Sequence, residues 1–430
     1  MKKLISLSIF IIWVGSVFSQ IDYSSLQKGI KINLSEDGKI FIKPGFGTQI
    51  MARYMQFNPG TLNTQGEAIG TDADLAVYRT YFSITGIFGR FTYFVMPALT
   101  AQPVTTSAGP YSGTKPSIFL YDNWLSYQII SNKLAVGAGL NMYNGISRLT
   151  SSSSAKTLGM DIPVITTPNL ITTDQSARQL SIFISGKLGK FDYRMAVVKP
   201  FRCDRTPTVA LPAVNTAFDI SNNNLSYKGY FQYQIFEQET AMMPFYVATY
   251  IGTKKVFNIG AGFDFHPGAT ASYTDAITLS RTKHDKLHLG ADLFLDIPLK
   301  HNDAITFYSA FYYYNYGPNY ILNFGTMNPY TNAISENLLG TGMAVLAQAG
   351  YLLPFALKNG ERFQIYGVAT YSDFEAMAKP SLHYDMGVNV FFAGHSLKCT
   401  LEWQRRPIYN ATETEYNYKN LAALRLQVFI

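Results

Sequence analysis

Residues 421–430 read LAALRLQVFI. Leu424, Leu426, Val428 and Ile430 share one parity, and Arg425 and Gln427 share the other. A period of two belongs to a β-strand with one apolar and one polar face. The alternation runs to residue 430, where a polar, fraying tail is the usual pattern. A strand that holds register to its last residue needs a partner there. The economical partner is the first strand, 39–56, which would close the sheet on itself.

The same alternation recurs through the chain after residue 38. In 397–406, Leu397, Cys399, Leu401 and Trp403 oppose Lys398, Thr400, Glu402, Gln404 and Arg406. In 286–296, Leu287, Leu289, Ala291, Leu293 and Leu295 oppose Lys286, His288, Asp292 and Asp296. Strands are expected at 39–56, 75–86, 90–99, 116–129, 133–143, 177–189, 190–200, 225–237, 256–265, 284–296, 303–313, 341–352, 361–371, 383–392, 397–405 and 417–430, sixteen in all. Tight turns such as IFG and ISN alternate with long polar segments such as NPGTLNTQGEAIGTD and the Ser/Thr/Pro stretch 144–176. An even strand number, with short turns at one end and long loops at the other, is the pattern of an outer-membrane barrel. Closure satisfies every backbone group within the sheet, so the wall can face lipid. The reading is therefore all-β: a transmembrane outer-membrane β-barrel of 16 antiparallel strands with both termini at the periplasmic end. The run FYVATYI within 237–255 would make a seventeenth strand and break the phase, so 237–255 is expected to be a long periplasmic connection.

Composition agrees with this class. The chain has 430 residues, and 15% of them are charged, against about 25% for a typical soluble domain. It holds 30 Tyr and 30 Phe, and its formal charge is +7. Mean hydropathy is +0.02. The opening MKKLISLSIFIIWVGSVFSQ combines two lysines, an apolar core and small residues near position 19, so 1–19 is expected to be a signal peptide. Residues 20–38 then form a short polar periplasmic segment, and 39–430 the barrel. Cys203 and Cys399 are too few and too far apart for a disulfide framework, and no Cys or His spacing suits a metal. No cofactor motif is visible, and the six scattered histidines sit in no Ser/His/acid arrangement, so an enzyme is not expected. Nothing marks a nucleic-acid partner. The contacts expected are outer-membrane lipid and lipopolysaccharide.

Aromatic residues crowd the strand ends, at Tyr78, Tyr81, Phe82, Phe91, Tyr93 and Phe94 and through AFYYYNYGPNY at 310–320. Such rings suit the headgroup level of a bilayer. On the inner parity the basic residues outnumber the acids. Arg53, Arg79 and Arg425 fall on neighbouring strands once the sheet closes, and Arg194 and Lys228 form a second group. These five are the candidate pore-lining cations, since a row of basic side chains in a narrow lumen favours anions. KPFRCDR at 199–205 is the richest basic loop, and Lys199, Arg202 and Arg205 are candidates for an inward constriction.

GKLGKFDYRMAVVKP (186–200), TYIGTKKVFNIGAGFDF (249–265), LGADLFLDIPL (289–299), LEWQRRP (401–407) and LRLQVFI (424–430) together resemble the phosphate-selective porin O and P family in its Bacteroidota form. The resemblance implies a sixteen-stranded barrel, a homotrimer, loops that fold in to constrict the pore, and anion passage. The inner basic residues are fewer here than the arginine ladders and lysine cluster of that family. The function it suggests is therefore a porin for passive diffusion of small hydrophilic or anionic solutes, with a weak anion preference. The alternative is a structural or accessory barrel subunit of a larger outer-membrane secretion or uptake complex, with outer-membrane protein partners and 145–176 as a docking loop.

Overall fold

The computed structural model describes residues 29–62, 65–100, 118–143, 145–172, 178–200, 216–241, 243–273, 281–324, 336–408 and 417–430. Sixteen strands form one closed antiparallel barrel. They are β1 (Ile40–Gln56), β2 (Thr71–Phe88), β3 (Phe91–Thr100), β4 (Ile118–Ile130), β5 (Leu134–Asn141), β6 (Gln179–Leu188), β7 (Phe191–Lys199), β8 (Ser226–Gln234), β9 (Val256–Tyr273), β10 (Arg281–Pro298), β11 (Ala304–Asn315), β12 (Gly342–Ala356), β13 (Arg362–Phe374), β14 (Ser381–Phe391), β15 (Leu397–Ile408) and β16 (Asn417–Phe429). Each pairs with the next. The ring is closed by β16 on β1, with Gly47 opposite Phe429 and Met55 opposite Leu421. Every strand expected from the sequence is present. The longest are β2, β9 and β10, at 18 residues each, and β9 extends well beyond its expected end at 265.

The barrel has a short-turn end and a long-loop end. Segment 235–255 joins β8 to β9 at the short-turn end, and among its described residues it forms no strand. Its ladder contact is an isolated parallel bridge from Tyr246 to Ser152. Ile32–Asn33 folds back on Phe41 and Ile42 of β1. The N-terminal residues expected to be a signal peptide lie outside the described residues.

The outward face is apolar. Leu75, Ile182, Ile259, Met386 and Leu401 are exposed, as a lipid-facing band requires. Cys399 lies on this face between Val390 and Leu426. Aromatic pairs sit outward near the short turns: Phe46 with Phe82 at 5.2 Å, Phe91 with Tyr127 at 4.7 Å and Phe355 with Phe363 at 5.9 Å. Exposed Tyr54, Tyr227, Tyr371 and Trp403 lie toward the other end.

The 310–320 stretch departs from expectation. Phe311 and Tyr313 face outward, but Tyr312, Tyr314, Tyr316 and Tyr320 are buried inside the barrel. Tyr78, Tyr81 and Phe94 also turn inward: Tyr81 and Phe94 are buried, and the Tyr78 hydroxyl is taken by a loop carboxylate inside the lumen. Alternation divides a run of tyrosines between two environments, and here the inner one is not water but another segment of the chain.

Candidate functional site

Two bulges prepare the inner wall. Gln49 pairs with Arg79 and Ile50 with Val77, so Tyr78 is the extra residue of β2. Met96 pairs with Asp122 and Pro97 with Leu120, so Tyr121 is the extra residue of β4. A bulge lets two successive side chains share a face. Tyr78 and Arg79 both reach Asp161, and Tyr121 and Asp122 both meet Arg178.

The connection 142–172, between β5 and β6 at the long-loop end, turns into the lumen. It enters over a wall stripped of side chains. Gly262 of β9 faces Gly290 of β10 in register, and a Cβ on Gly290 would lie 2.2 Å from the Ile146 carbonyl oxygen. Ile146 sits there at φ 55°, a left-handed conformation that a β-branched residue rarely adopts. Strain of this kind persists only where the surroundings fix it. Ser147 reaches Tyr312 at 3.0 Å, and the Arg148 N–H donates to Asp292 at 2.6 Å. Farther along, Gln427 and Lys398 donate to the carbonyls of Ala155 and Thr157 at 2.9 and 3.1 Å, and Met160 N–H donates to Glu402 at 2.8 Å. Ile146, Leu149, Leu158 and Ile165 pack on the buried tyrosines and on Leu346. Gly290→Val would place side-chain atoms where the Ile146 carbonyl lies. The loop is then expected to leave its seat and single-channel conductance to rise; an unchanged conductance would count against this seat.

Segment 235–255 enters from the opposite end and grips the same loop. Tyr246 N–H donates to Ser151 O at 2.9 Å, Ser153 N–H to Tyr246 O at 2.9 Å, and Ala248 N–H to Lys156 O at 3.0 Å. Arg148 makes a two-pronged ion pair with Glu239 at 2.7 and 2.5 Å and donates to Val247 O at 2.7 Å. Its guanidinium lies 3.8 Å from the Phe294 ring centroid. Glu239 also accepts from Asn258 at 2.5 Å and from the Tyr250 hydroxyl. Burial pushes the Glu239 carboxyl up, but Arg148 outweighs it and holds the group below its ordinary value.

Beside the inner loop, the described residues line a cavity of about 520 Å³ within the lumen. Its lining runs from Gly45, Phe429 and Ile430 at the short-turn end to Ser372, Ser381 and Pro407 at the other. Tyr81 stacks on Tyr121 at 5.7 Å along it. Its charged groups stand mostly in pairs: Arg53 with Asp74, Arg79 with Asp161 at 2.9 Å, Arg178 with Asp122 at 3.0 Å, and His383 with Asp385 at 2.9 Å. Arg406 donates to Asn58 and to Gln56 O at 3.2 and 2.8 Å. Burial pushes the Asp161 carboxyl up, but Arg79 and then Arg425 outweigh it, so the group stays below its ordinary value.

The five candidate cations separate. Arg53 and Arg79 line the cavity. Arg425 is buried beneath the inner loop, 3.4 Å from Thr157 Oγ1. Arg194 and Lys228 lie across the ring on β7 and β8, buried against Asp192 at 3.4 Å and Asp264 at 3.0 Å. The five do not converge on one point. Lys199 donates to Asn223 O at 2.6 Å at the rim; Arg202 and Arg205 lie outside the described residues. The loop that does fold inward is the Ser/Thr-rich one. Arg148, Asp161, Glu239 and Tyr246 were not singled out by sequence. Each is an isolated charge or ring in a polar connection, and only their meeting gives them weight.

The outer-membrane channel DcaP of Acinetobacter baumannii shares this fold over 93% of this chain and 100% of its own, at 12% identity and a TM-score of 0.51. OprB of Pseudomonas putida shares it over 90% of this chain and 94% of its own, at 8% identity and a TM-score of 0.56. No family model matches the sequence, and no curated protein matches it. Likeness at this identity is likeness of fold: a closed sixteen-stranded antiparallel barrel of the kind these outer-membrane proteins have.

Proposed function

We propose that the protein is an outer-membrane porin of restricted bore, through which small polar solutes diffuse passively. The observation that carries this is the cavity beside the inner loop, whose lining spans from one rim of the barrel to the other. The decisive experiment is reconstitution in a planar bilayer. Small, steady single-channel conductance is expected, and a silent barrel would overturn the reading.

A weak anion preference belongs to the same proposal. Arg53, Arg79, Arg178 and Arg406 line the path, and three of them are faced by carboxylates. The net field is then modest. Asp161→Asn removes the carboxylate opposite Arg79 and is expected to raise the anion-to-cation permeability ratio by a factor on the order of two to five, read from reversal potentials in a salt gradient. The wild type should match that variant only below the ordinary carboxylate range, because a depressed Asp161 stays ionised until then. A ratio unchanged by the substitution would remove Asp161 from the path.

A homotrimer and kinship with the phosphate-selective family complete the proposal, on the strength of the segments at 186–200 and 401–407. Native mass spectrometry reads the first. Block of chloride current by inorganic phosphate reads the second. The grip on the lumen from both ends favours one rival, an accessory barrel kept closed. A silent barrel that co-purifies with a stoichiometric partner would support that rival instead.

A further inference from the structure

Seven connections lie at the short-turn end, and six of them carry an intermediate or exposed cation: Arg90, Lys133, Lys190, Lys255, Lys300 and Lys358 in turn around the ring. The carboxylates of this end do little to offset them. Asp303 and Glu361 are buried. Asp37 is paired with Lys39 at 3.0 Å, which leaves Glu36 and Glu237 as two exposed carboxylates against the six cations. The six turns therefore place six exposed basic side chains on one rim.

Outward aromatic rings stand directly beside the cations. Arg90 precedes Phe91, which packs on Tyr127 at 4.7 Å. Lys190 precedes Phe191, which stacks on Phe231 at 6.1 Å. Lys255 lies 4.5 Å from the Phe236 centroid, and Phe236 packs on Phe257 at 5.8 Å. Lys358 lies in the turn between Phe355 and Phe363, whose rings pack at 5.9 Å. Phe91, Phe191, Phe236 and Phe355 are all exposed. Rings at this height sit among acyl esters. The adjoining ammonium and guanidinium groups then lie at the level of the phosphates, where anionic lipid attracts basic side chains.

We propose that this rim is a collar that binds the headgroups of anionic phospholipids in the periplasmic leaflet. The aromatic pairs fix the depth of the barrel, and the cation beside each pair takes the phosphate. This inference rests on the reading of the chain as an outer-membrane barrel, but not on its conducting. The short-turn end of such barrels faces the periplasm, which sets the source of the lipid.

The test uses the full barrel in nanodiscs made from phosphatidylcholine with or without phosphatidylglycerol, with retained lipid counted by native mass spectrometry. The wild type is expected to retain phosphatidylglycerol over phosphatidylcholine by roughly fivefold or more, and to lose the preference in high salt. A variant combining Arg90→Glu, Lys133→Glu, Lys300→Glu and Lys358→Glu, which leaves Lys190 and Lys255 beside their rings, should lose at least half of the preference while its conductance stays as in the wild type. Absence of any preference in the wild type would overturn the collar, and so would a preference that survives undiminished in the variant or in high salt. If the variant fails to assemble, the wild-type salt dependence decides alone. A silent barrel that still prefers phosphatidylglycerol would refute the porin reading and leave the collar standing.

Discussion

Glu239→Gln should free the inner loop and convert a small, steady conductance into a larger, fluctuating one. Arg148 is fully buried, and Glu239 is the carboxylate that meets it, through two hydrogen bonds at 2.7 and 2.5 Å. Removing one partner of a buried pair costs about 3–5 kcal/mol, because the remaining charge is stranded. At about 1.4 kcal/mol per factor of ten, even the lower figure moves the balance between seated and released loop by roughly a hundredfold. Arg148 can regain water only by leaving Val247 O and the Phe294 face, and the strand-like contacts of Tyr246 with residues 151–153 go with it. A double variant, Arg148→Met with Glu239→Leu, removes both charges and should disturb the loop less than Glu239→Gln alone. Single-channel recordings that match the wild type for Glu239→Gln would show that the clasp does not set the bore.

The same pair makes acid an opening signal. The Glu239 carboxyl is held below its ordinary value, so its contribution is complete at neutral pH and is lost as pH falls through that depressed value. Conductance histograms taken at descending pH should gain the larger level in that interval, and Glu239→Gln should show it at every pH.

Deletion of 427–430 should abolish assembly. The seam pairs Gln49 with Gln427, Thr48 with Val428 and Gly47 with Phe429. Beyond it, Phe46 and Ile430 exchange two backbone bonds at 3.1 and 2.8 Å, and Phe429 N–H donates to Ser396 O at 2.7 Å. Without these partners one edge of β1 faces hydrocarbon, where each unsatisfied backbone group costs several kcal/mol. Gln427 is also a strut for the inner loop through Ala155 O. The truncated chain should give no heat-modifiable band from the membrane fraction. Ile430→Ala keeps every backbone bond and should assemble. A truncated chain that folds as well as the full one would show that the seam is dispensable.

Much of this fold was legible in the chain itself. LAALRLQVFI alternates to its end because β16 pairs with β1 to that end, and the phase of short and long connections correctly refused FYVATYI as a strand. The bulges were not legible. Nothing in LAVYRTYF says that Tyr78 is unpaired, since Leu75 and Val77 before it, and Thr80 and Phe82 after it, each alternate properly on their own. The site was legible in part. Parity placed Arg53, Arg79, Arg194, Lys228 and Arg425 on the inner wall, but parity gives a face and not what covers that face.

A period of two is a local property, set by the pleat of each strand, so sequence alone determined the wall, its closure and its two faces. What lies against the inner face is set by segments distant in the chain. Arg148 and Glu239 are 91 residues apart, and Ile146 is far from the Gly262–Gly290 floor that admits it. Only the tertiary structure decided that the inner loop and segment 235–255 fill one side of the lumen. That packing covers Arg194, Lys228 and Arg425 and leaves Arg53 and Arg79 lining the cavity, because what a side chain meets depends on which neighbour arrives and not on the residue's own place in its strand.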